Sequence, residues 1–582
     1  MTVSRENRDW MMVGLKVKAE GALIAFAAGD AIGWPNEFTR KVIRKHNVGS
    51  PSVSFSPWVR KGGGQYYSFE ESIERGAYSD DTQMLLATAR SRMCEGNSWW
   101  THLTQVELPL WTLYERGGGG ATKRAASSWA KSVSPWMASG QLPRQYFEAG
   151  GNGVAMRILP HAIFHAKQDS ALETIEDVLR DGVSTHGHPR ALLGAAVYAF
   201  IARWLLRVDR TVEYGELIDV ALEYADDWSF NPKSLKSKST WDEASRIVFR
   251  GDYVEEWRKV IGEIIDLLKI AKRGLEEGAT VDDDAVLAEL GCFGREKGSG
   301  TISAIAAIYL AARFATAPTK GVIKASFASG ADTDTIGAMT GGLLGCLCGT
   351  DWLPPEWFDV QDSQYLRCIA AELAETKAGS SSKVIHPPVR QRELDLILDD
   401  IASGKREVLI HGSEWASVVE ASEPKPLSKS TLAKTWHLRT REGQSLFVTK
   451  LGRKTKESLL SADTIEATTQ KKNQFQPALQ LKVVVDNIER TKDFYNLLLG
   501  LRESVKRESS IEFGNIVFVQ RQESTSTSKT VEFTLSVEND EVVVANAKTK
   551  GIHAQRSTNK TQSGWCLIDP DGNIIHLINY RV

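Results

Sequence analysis

Apolar residues recur at intervals of three and four from about residue 14 to residue 378, which is the spacing of an amphipathic helix. This periodicity is found at 83–95, 155–167, 189–206, 212–225, 254–271, 300–316 and 336–348. A further helix is predicted from Val13 to Ala28, because Gly29 is a residue type that commonly follows the end of a helix. Strict alternation of apolar and polar residues is almost absent, so residues 1–378 are predicted to form a large all-α domain.

The pattern changes after the small polar stretch 377–383, which has the composition of a linker. Residues 384–452 are predicted to form a small β-rich module that contains one helix. The helix is expected at 393–402, and the strands at 407–411, 435–439 and 445–449. This module by itself indicates no chemistry.

A second polar stretch, 453–476, shows no sustained apolar face and is predicted to be a linker. It precedes a last domain at 477–582, in which strand and helix patterns alternate. The predicted order is strand 481–485, helix 489–499, strands 511–519 and 530–537, helix 539–549, and strands 564–568 and 573–579. The chain is therefore expected to have several domains of different class.

Charge and composition exclude some classes of protein. The 582 residues contain 71 Lys+Arg and 73 Asp+Glu, a net charge of −2, which argues against a dedicated nucleic-acid or membrane-surface binder. Six cysteines are too few for a disulfide framework. Charged residues from Arg5 to Asp9 do not suit a signal peptide, and the apolar stretch 302–312 is too short to span a bilayer. We expect a cytoplasmic protein without a membrane partner.

Two acidic clusters carry the candidate chemistry. They are Tyr78-Ser-Asp-Asp-Thr82 and Ala331-Asp-Thr-Asp-Thr335, and each precedes a predicted helix. Oxygen ligands without His or Cys suit Mg²⁺, Mn²⁺ or Ca²⁺ rather than zinc. One such cluster alone is an ordinary helix N-cap. Two of them, beside the glycine-rich segments 117–120 and 150–157, favour a metal site next to a phosphate-binding backbone.

Five segments then identify a family by their order along the chain. They are Gly29-Asp-Ala-Ile-Gly-Trp-Pro-Asn-Glu-Phe38, Ser79-Asp-Asp-Thr-Gln-Met84, Gly151-Asn-Gly-Val-Ala-Met-Arg157, Thr185-His186 and Gly330-Ala-Asp-Thr-Asp-Thr-Ile-Gly337. Together they resemble the signatures of the ADP-ribosylglycohydrolase family, which includes the dinitrogenase-reductase-activating glycohydrolases. The family often has glycine where this chain has Ala331. One added methyl group leaves the acidic spacing intact, so we expect no loss of metal.

The resemblance implies a site with two Mg²⁺ ions, for which Mn²⁺ can substitute, and no organic cofactor. The implied metal ligands are Ser79, Asp80, Asp81, Asp332, Asp334 and Thr335. Glu37, Asp81 and Asp334 are the implied catalytic residues. The implied ligand-binding residues are Gly117, Gly118, Gly119, Gly120, Gly151, Asn152, Gly153, Met156 and His186. The glycines would cradle a diphosphate, and His186 would contact the adenosine or its ribose.

The activity implied is hydrolysis of the ribosyl bond of an ADP-ribosylated substrate. ADP-ribosyl-arginine on a protein is the leading substrate, with an ADP-ribosyl small molecule also open. The alternatives are an N- or O-glycoside of an NAD-derived metabolite, an ADP-ribosylated nucleobase, or a protein that senses ADP-ribose or confers immunity. The near-neutral charge argues against extended nucleic acid but leaves a single modified base open.

The last domain resembles the vicinal oxygen chelate superfamily of glyoxalase I and bleomycin-resistance proteins, an α+β fold of paired βαβββ units. The segments that carry this resemblance are Leu481–Tyr495, Leu499-Gly-Leu501 and Asp569–Leu577. The resemblance places a second metal site at Gln480, Glu532 and His576, where superfamily enzymes commonly have glutamate instead of His576. We expect this domain to bind a small molecule or a protein partner rather than to catalyse.

All proposed hydrolytic ligands precede residue 340. We therefore expect a fragment that ends near Ser380 to fold and to hydrolyse a small ADP-ribosylated substrate.

Overall fold

The computed structural model describes most of the chain as two units, Met1–Lys456 and Glu457–Val582. The described residues are 5–37, 51–63, 68–94, 98–229, 239–250, 253–376, 387–411, 414–427 and 431–453, together with eight strands between 481 and 579. The predicted linker at 377–383 lies outside the described residues. So does the linker predicted at 453–476, except for Arg453, which ends a strand.

The first unit is mostly helical, as the periodicity predicted. Its helices are Arg5–Gly33 (α1), Asp80–Arg92 (α2), Trp99–His102 (α3), Leu108–Tyr114 (α4), Gly120–Ala130 (α5), Leu142–Phe147 (α6), Leu159–Phe164 (α7), Leu172–Gly182 (α8), Pro189–Arg207 (α9), Glu216–Glu223 (α10), Ala225–Ser229 (α11), Ser239–Val248 (α12), Tyr253–Glu276 (α13), Asp283–Glu289 (α14), Gly300–Arg313 (α15), Pro318–Ser326 (α16), Thr333–Cys348 (α17), Ser363–Glu375 (α18) and Gln391–Ala402 (α19). The helix predicted at 155–167 is divided into a 3-10 turn, Ala155–Arg157, and α7.

The prediction that Gly29 ends the first helix is wrong, because α1 continues to Gly33. Gly29 lies instead where α1 crosses α17, and a Cβ atom at this position would be 2.2 Å from the carbonyl oxygen of Gly337. The absent side chain lets the two backbones approach closely. Nearby, the Thr333 hydroxyl donates to the carbonyl of Gly33 at 2.8 Å. This crossing brings the end of α1 next to the start of α17.

The core of the first unit contains one long apolar helix. Within the described chain, Pro189–Arg207 is long and apolar enough to cross a membrane, and 89% of its apolar window is buried inside the protein. It exceeds in length the stretch at 302–312 that the sequence analysis considered. Such burial is typical of the core helix of a globular protein.

The helical domain also contains a β-hairpin, so the prediction of an all-α domain is wrong in this part. Strands Trp58–Gly62 (β1) and Phe69–Ile73 (β2) pair antiparallel. Residues Lys425–Pro426 (β5) add a third strand at the edge of β2. The strands of the hairpin are five residues long, too short to give a sustained alternation of apolar and polar positions.

A four-stranded antiparallel sheet follows α19 and belongs to the same unit as the helices. Its strands are Glu407–His411 (β3), Glu414–Ser422 (β4), Thr431–Thr440 (β6) and Ser445–Arg453 (β7), in the order β3-β4-β6-β7. Strand β4 was not predicted, because much of it is exposed and polar. The buried Asp362 beside α18 accepts bonds from the backbone N–H and the hydroxyl of Ser445, both at 2.8 Å. Leu446 and Val448 share one hydrophobic core with the helices.

The second unit contains two four-stranded sheets with the same topology. The strands are Leu481–Val485 (β8), Val505–Arg507 (β9), Ser510–Phe513 (β10), Ile516–Gln520 (β11), Glu532–Val537 (β12), Ala554–Arg556 (β13), Trp565–Ile568 (β14) and Ile574–Asn579 (β15). The sheet orders are β8-β11-β10-β9 and β12-β15-β14-β13. In each sheet the first strand runs parallel to the fourth, and the other pairs are antiparallel.

The single strand predicted at 511–519 is wrong, because β10 and β11 form a hairpin there. The two residues that join them, Gly514 and Asn515, are of the types favoured in a tight hairpin loop. The helices predicted at 489–499 and 539–549 lie outside the described residues, as does Gln480. Glu532 is paired with Ile574, and His576 with Thr534, in parallel neighbouring strands.

Candidate active site

The first acidic cluster is fixed at the start of α2 by a buried aspartate from α1. Ser79 is the N-cap of α2, and its hydroxyl accepts the backbone N–H of Asp81 at 3.2 Å. Asp30 accepts the N–H groups of Ser79 and Thr82, each at 3.0 Å, and the Thr82 hydroxyl at 2.6 Å. Asp30 therefore holds the segment that carries Asp80 and Asp81. The motif around Asp30 does not by itself reveal this role.

The second cluster lies at the start of α17. The N–H of Thr335 donates to the Asp334 carboxylate at 2.9 Å. The side-chain amide of Asn152 donates to Asp332 at 2.9 Å, which joins the second glycine-rich segment to this cluster. One oxygen each from Glu37, Asp332 and Asp334 lie within 4.8 Å of one another, a group that could hold a metal ion.

Glu37 is placed by the turn that follows α1. The backbone N–H of Glu37 donates to the carbonyl of Trp34 at 3.3 Å. The amide of buried Asn36 donates to the carbonyl groups of Ile32 at 3.0 Å and Ser326 at 2.9 Å. Asn36 therefore anchors the backbone directly before Glu37.

The two acidic clusters meet at one cleft of about 530 Å³. The structure brings most of the predicted site residues to its walls. They are Glu37, Asp80, Asp81, Gly117, Gly119, Gly120, Gly151, Asn152, Gly153, Met156, His186, Asp332, Asp334 and Thr335. Ser79 lies behind Asp80 as the helix cap and does not line the cleft.

The carboxyl groups in this cleft are buried without enough positive charge. Burial, followed by repulsion from neighbouring carboxylates, raises the pKa values of Asp80, Asp81 and Asp334 well above their usual range. Burial and then Asp332 raise the pKa of Glu37 to about 7, an effect that Lys297 opposes. Such groups stay ionised at neutral pH only if cations are bound beside them.

The donor set fits divalent metal ions. The Oδ1 atom of Asp81 is buried and has no hydrogen-bond partner among the described residues. A buried acceptor without a donor is costly, and a cation would satisfy it. The two clusters contain four aspartates, Asp80, Asp81, Asp332 and Asp334. When ionised they carry four negative charges, which two divalent ions neutralise. The set contains only oxygen ligands, whereas structural zinc sites use Cys and His side chains. It therefore does not suit structural zinc.

The first glycine run reaches the cleft at three of its four positions. Gly117 has a φ of +107° and would place a Cβ atom 3.0 Å from Oδ1 of Asp80. Glycine is required there both by this conformation and by the close carboxylate. Gly118, expected to bind ligand, packs against the Trp111 ring instead, where a Cβ atom would be only 2.4 Å away.

A fully buried arginine joins the second glycine segment to His186. Arg157 donates to Asp181 at 2.7 Å, to the carbonyl of Gly153 at 2.8 Å and to the Thr185 hydroxyl at 2.8 Å. Thr185 Oγ1 lies 2.7 Å from Nδ1 of His186. The hydroxyl can donate its own proton to Nδ1 while it accepts from Arg157, and in that arrangement Nε2 of His186 carries the ring proton.

The His186 ring is held in its neutral state. Burial, followed by the positive charge of Arg157, lowers its pKa to about 3. Its ring lines the cleft and lies against Gly153. The imidazole can therefore donate to an uncharged or anionic oxygen without carrying a positive charge.

Several residues of the cleft are not predicted from the sequence motifs. They are Thr122, Arg124, Gln145, Glu148 and Gly298. Thr122 and Arg124 lie in the first turn and a half of α5, directly after the first glycine run, and this position was an available signal. Gln145 lies in the last turn of α6 and Glu148 directly follows this helix. Both stand shortly before the glycine-rich segment 150–157, but neither belongs to a motif of its own.

Comparison with known proteins agrees with these motifs. Residues 11–383 match the ADP-ribosylglycohydrolase family, so the chain belongs to that family. ADP-ribosylarginine hydrolase Tri1 of Serratia proteamaculans is 24% identical over 353 residues, which are 59% of this chain and 74% of the relative. The ADP-ribosyl-[dinitrogen reductase] glycohydrolase of Rhodospirillum rubrum is 29% identical over 175 residues, 30% of this chain and 52% of the relative.

Among solved structures, an "ADP-ribosylglycohydrolase-related protein complex" is 19% identical and covers 63% of this chain and 99% of its own, with a TM-score of 0.38. The family match and the named relatives identify the protein as an enzyme that hydrolyses an ADP-ribosyl glycosidic bond. The predicted family and the prediction of a hydrolase are thereby confirmed. The family match ends at residue 383, before the sheet of β3, β4, β6 and β7 begins.

Proposed function

We propose that this enzyme removes ADP-ribose from arginine side chains of modified proteins in a reaction that depends on Mg²⁺. The observation that carries the proposal is the meeting of two acidic helix starts and two glycine-rich segments at one cleft of about 530 Å³. A relative named ADP-ribosylarginine hydrolase supports arginine as the acceptor. A relative that acts on ADP-ribosylated dinitrogen reductase supports a protein substrate.

The proposed metal site holds two Mg²⁺ ions, with Mn²⁺ as a substitute and no organic cofactor. The proposed ligands that line the cleft are Asp80, Asp81, Asp332, Asp334 and Thr335. Ser79, the cap of α2, is the sixth proposed ligand and would have to reach an ion from behind this lining. When bound, the ions supply Lewis acidity that orients the ribose hydroxyls and lowers the pKa of a water. Asn152 keeps Asp332 oriented through its 2.9 Å hydrogen bond, and Asp30 does the same for the other cluster.

Glu37 is the proposed residue beside the bond that breaks. Cleavage at the anomeric carbon develops positive, oxocarbenium-like charge on the ribose. The half-buried carboxylate of Glu37, grouped with Asp332 and Asp334, is placed to stabilise that charge or to take a proton from the attacking water. Asp81 and Asp334 are the other proposed catalytic residues. Each belongs to one of the two acidic clusters, and both line the cleft.

The remaining cleft residues are proposed to bind the ADP-ribose. Gly117, Gly119 and Gly120 let the backbone approach the diphosphate closely, and Gly151, Asn152 and Gly153 line the same cleft. His186 donates its Nε2 proton to the nucleotide part of the ligand. Met156 contributes an apolar contact.

The substrate is tested by a panel of modified molecules. Proteins that are ADP-ribosylated on arginine, on serine or on Asp/Glu, together with a modified nucleic acid and an NAD-derived glycoside, are incubated with the full chain. We expect free ADP-ribose from the arginine-linked protein, with loss of release in Asp332→Ala. Release only from the nucleic acid or the small glycoside would contradict the arginine assignment. Ligand binding without any release would favour a sensor.

For the second unit we propose a vicinal oxygen chelate fold that binds a small molecule or a protein partner. The support is the repeated sheet order, in which a first strand lies parallel to the fourth in both halves. Glu532 and His576 lie two register positions apart on neighbouring strands, and with Gln480 they form the proposed second metal site. The metal content of the full chain with Glu532→Ala and His576→Ala tests this site. An unchanged metal content would exclude it.

A further inference from the structure

A cluster of buried charges lies directly behind the first glycine run. Arg116, the residue before Gly117, donates from Nε to Glu71 of β2 at 2.9 Å. The other carboxylate oxygen of Glu71 accepts from Arg60 of β1. Arg116 is 3% exposed and Glu71 is 5% exposed, so the charges of this cluster are largely removed from water. The hairpin therefore holds one side of Arg116.

The sheet that follows the family region holds the other side. The guanidinium carbon of Arg116 lies 3.8 Å from the centroid of the Phe447 ring, which belongs to β7. Nη1 of Arg116 is buried and has no hydrogen-bond partner in the part of the chain that the structure describes. The aromatic face offers that nitrogen an electrostatic contact, which is strongest where water is excluded. The ring of His437 stacks on Phe447 with centroids 4.6 Å apart and supports its position.

Arg116 connects this contact to the acidic wall of the cleft. Its backbone N–H donates at 3.2 Å to the side chain of Gln83, which lies on α2 two residues after Asp81. The next residue, Gly117, faces Oδ1 of Asp80 closely enough that a Cβ atom would lie 3.0 Å away. A movement of Arg116 therefore displaces both the glycine run and the surroundings of Asp80.

We propose that Phe447 is a positioning residue, and that the β3-β4-β6-β7 sheet belongs to the catalytic unit because it fixes the Gly117–Gly120 loop through Arg116. The consequence for substrate binding rests on the proposed function, since it requires the loop to bind the diphosphate.

Loss of the Phe447 ring leaves one side of the buried Arg116 guanidinium without a partner. We expect the loop to gain freedom and to bind ADP-ribose less well, which raises KM about 5- to 30-fold on the basis of a desolvated cation–π contact. The turnover number should change less, because Phe447 acts on the glycine run through Arg116 and not on Glu37 or on the acidic cluster at the start of α17.

The test compares three variants of the full chain. Phe447→Leu removes the aromatic face, Phe447→Tyr keeps it, and Trp415→Leu is the matched control. Trp415 lies on β4 of the same sheet, beneath Arg441 at 5.8 Å, and does not line the cleft. The measurements are hydrogen–deuterium exchange of peptides that cover residues 115–121, and KM and kcat for ADP-ribose release.

We expect faster exchange at 115–121 and a higher KM in Phe447→Leu, with wild-type behaviour in the tyrosine variant and in the Trp415 control. Unchanged exchange in Phe447→Leu, or the same change in the control, would overturn the inference. If Phe447→Leu does not fold, His437→Ala replaces it with the same expectations. If the wild-type chain releases no ADP-ribose, the proposed function fails, while the exchange data still decide the role of Phe447.

Discussion

The neutral state of His186 is a direct consequence of where the side chain lies. Burial and Arg157 lower its pKa to about 3, whereas an unfolded chain protonates histidine near pH 6.5. Below about pH 6.5 the unfolded chain alone takes up the proton, so this group reduces the free energy of unfolding as the pH falls toward 3. Because the pKa of His186 is lower in the folded state, its contribution to the free energy of unfolding increases with pH between about 3 and 6.5.

We predict that His186 remains the neutral Nε2–H tautomer at pH 5. Nitrogen-15 chemical shifts of the ring in the labelled full chain measure both the charge and the tautomer. Substitution of Thr185 by valine should disturb the tautomer, because it removes the hydroxyl that lies 2.7 Å from Nδ1. A His186 ring that titrates near pH 6.5 would contradict the assignment.

We predict that Glu37→Gln lowers kcat by about 100-fold or more, because the carboxylate acts on charge that develops during the reaction. The dissociation constant of ADP-ribose should change little, since the amide preserves size. Glu148→Gln is the control, because Glu148 also lines the cleft but pairs with Arg144 at 2.7 Å. Steady-state kinetics and calorimetry of ADP-ribose binding separate the two effects. Equal losses in binding and turnover would make Glu37 a ligand-positioning residue.

Single residues differ in how well sequence predicts them. The aspartates of both clusters were recognisable because they stand in short motifs at helix starts. Asp30 was inside a recognised motif, yet its role depends on a hydrogen bond to Ser79, 49 residues away. Gly118 was assigned with its neighbours, but its direction toward Trp111 depends on tertiary packing that a glycine run does not encode.

At the scale of elements, the crossing of α1 and α17 sets the geometry of the cleft. We predict that Gly29→Ala lowers the free energy of unfolding by about 1–3 kcal/mol, because the added methyl would overlap the carbonyl of Gly337, 2.2 Å from the new Cβ. Gly14→Ala is the control in the same helix, with no atom within 4 Å of its Cβ position. The control should gain about 0.5–1 kcal/mol from helix propensity. Urea unfolding measures both, and equal effects would contradict the packing argument.

Helices with long periodic patterns were predictable, whereas short strands were not. Helix α9 occupies 189–207 against a prediction of 189–206, because nineteen residues give a clear pattern. The hairpin of β1 and β2 has five residues per strand, and its partner β5 is distant along the chain. The order of strands in a sheet depends on such distant pairing, which a local pattern does not contain.

At the scale of the whole molecule, the structure changes the expectation for truncated chains. A fragment that ends near Ser380 keeps the buried Asp362 but removes Ser445, which donates to it twice at 2.8 Å. It also removes Gln444, which accepts from Arg90 at 2.6 Å. Asp362 keeps its bond from Tyr78 and Arg90 keeps its bonds to Glu107, but each loses part of its buried hydrogen-bond network. The loss of these bonds, together with exposure of part of the shared core, destabilises the fragment.

We now predict that a fragment of residues 1–456 folds and keeps hydrolytic activity, whereas a fragment of residues 1–380 aggregates or unfolds. Thermal unfolding and ADP-ribose release from an arginine-linked substrate compare the two fragments with the full chain. An active, cooperatively folded fragment of residues 1–380 would show that the sheet is dispensable. Loss of activity in the longer fragment would show that the second unit contributes to the site.

The central claim is that the two acidic clusters form one divalent-metal site for ADP-ribosyl hydrolysis. Its most direct test is release of ADP-ribose from an arginine-modified protein by the chelated full chain as Mg²⁺ is added back. We predict that Mg²⁺ restores the release, and that Asp80→Ala and Asp334→Ala, one from each cluster, each reduce it about 100-fold or more. Full activity after chelation, or a loss in only one of the two variants, would contradict the claim.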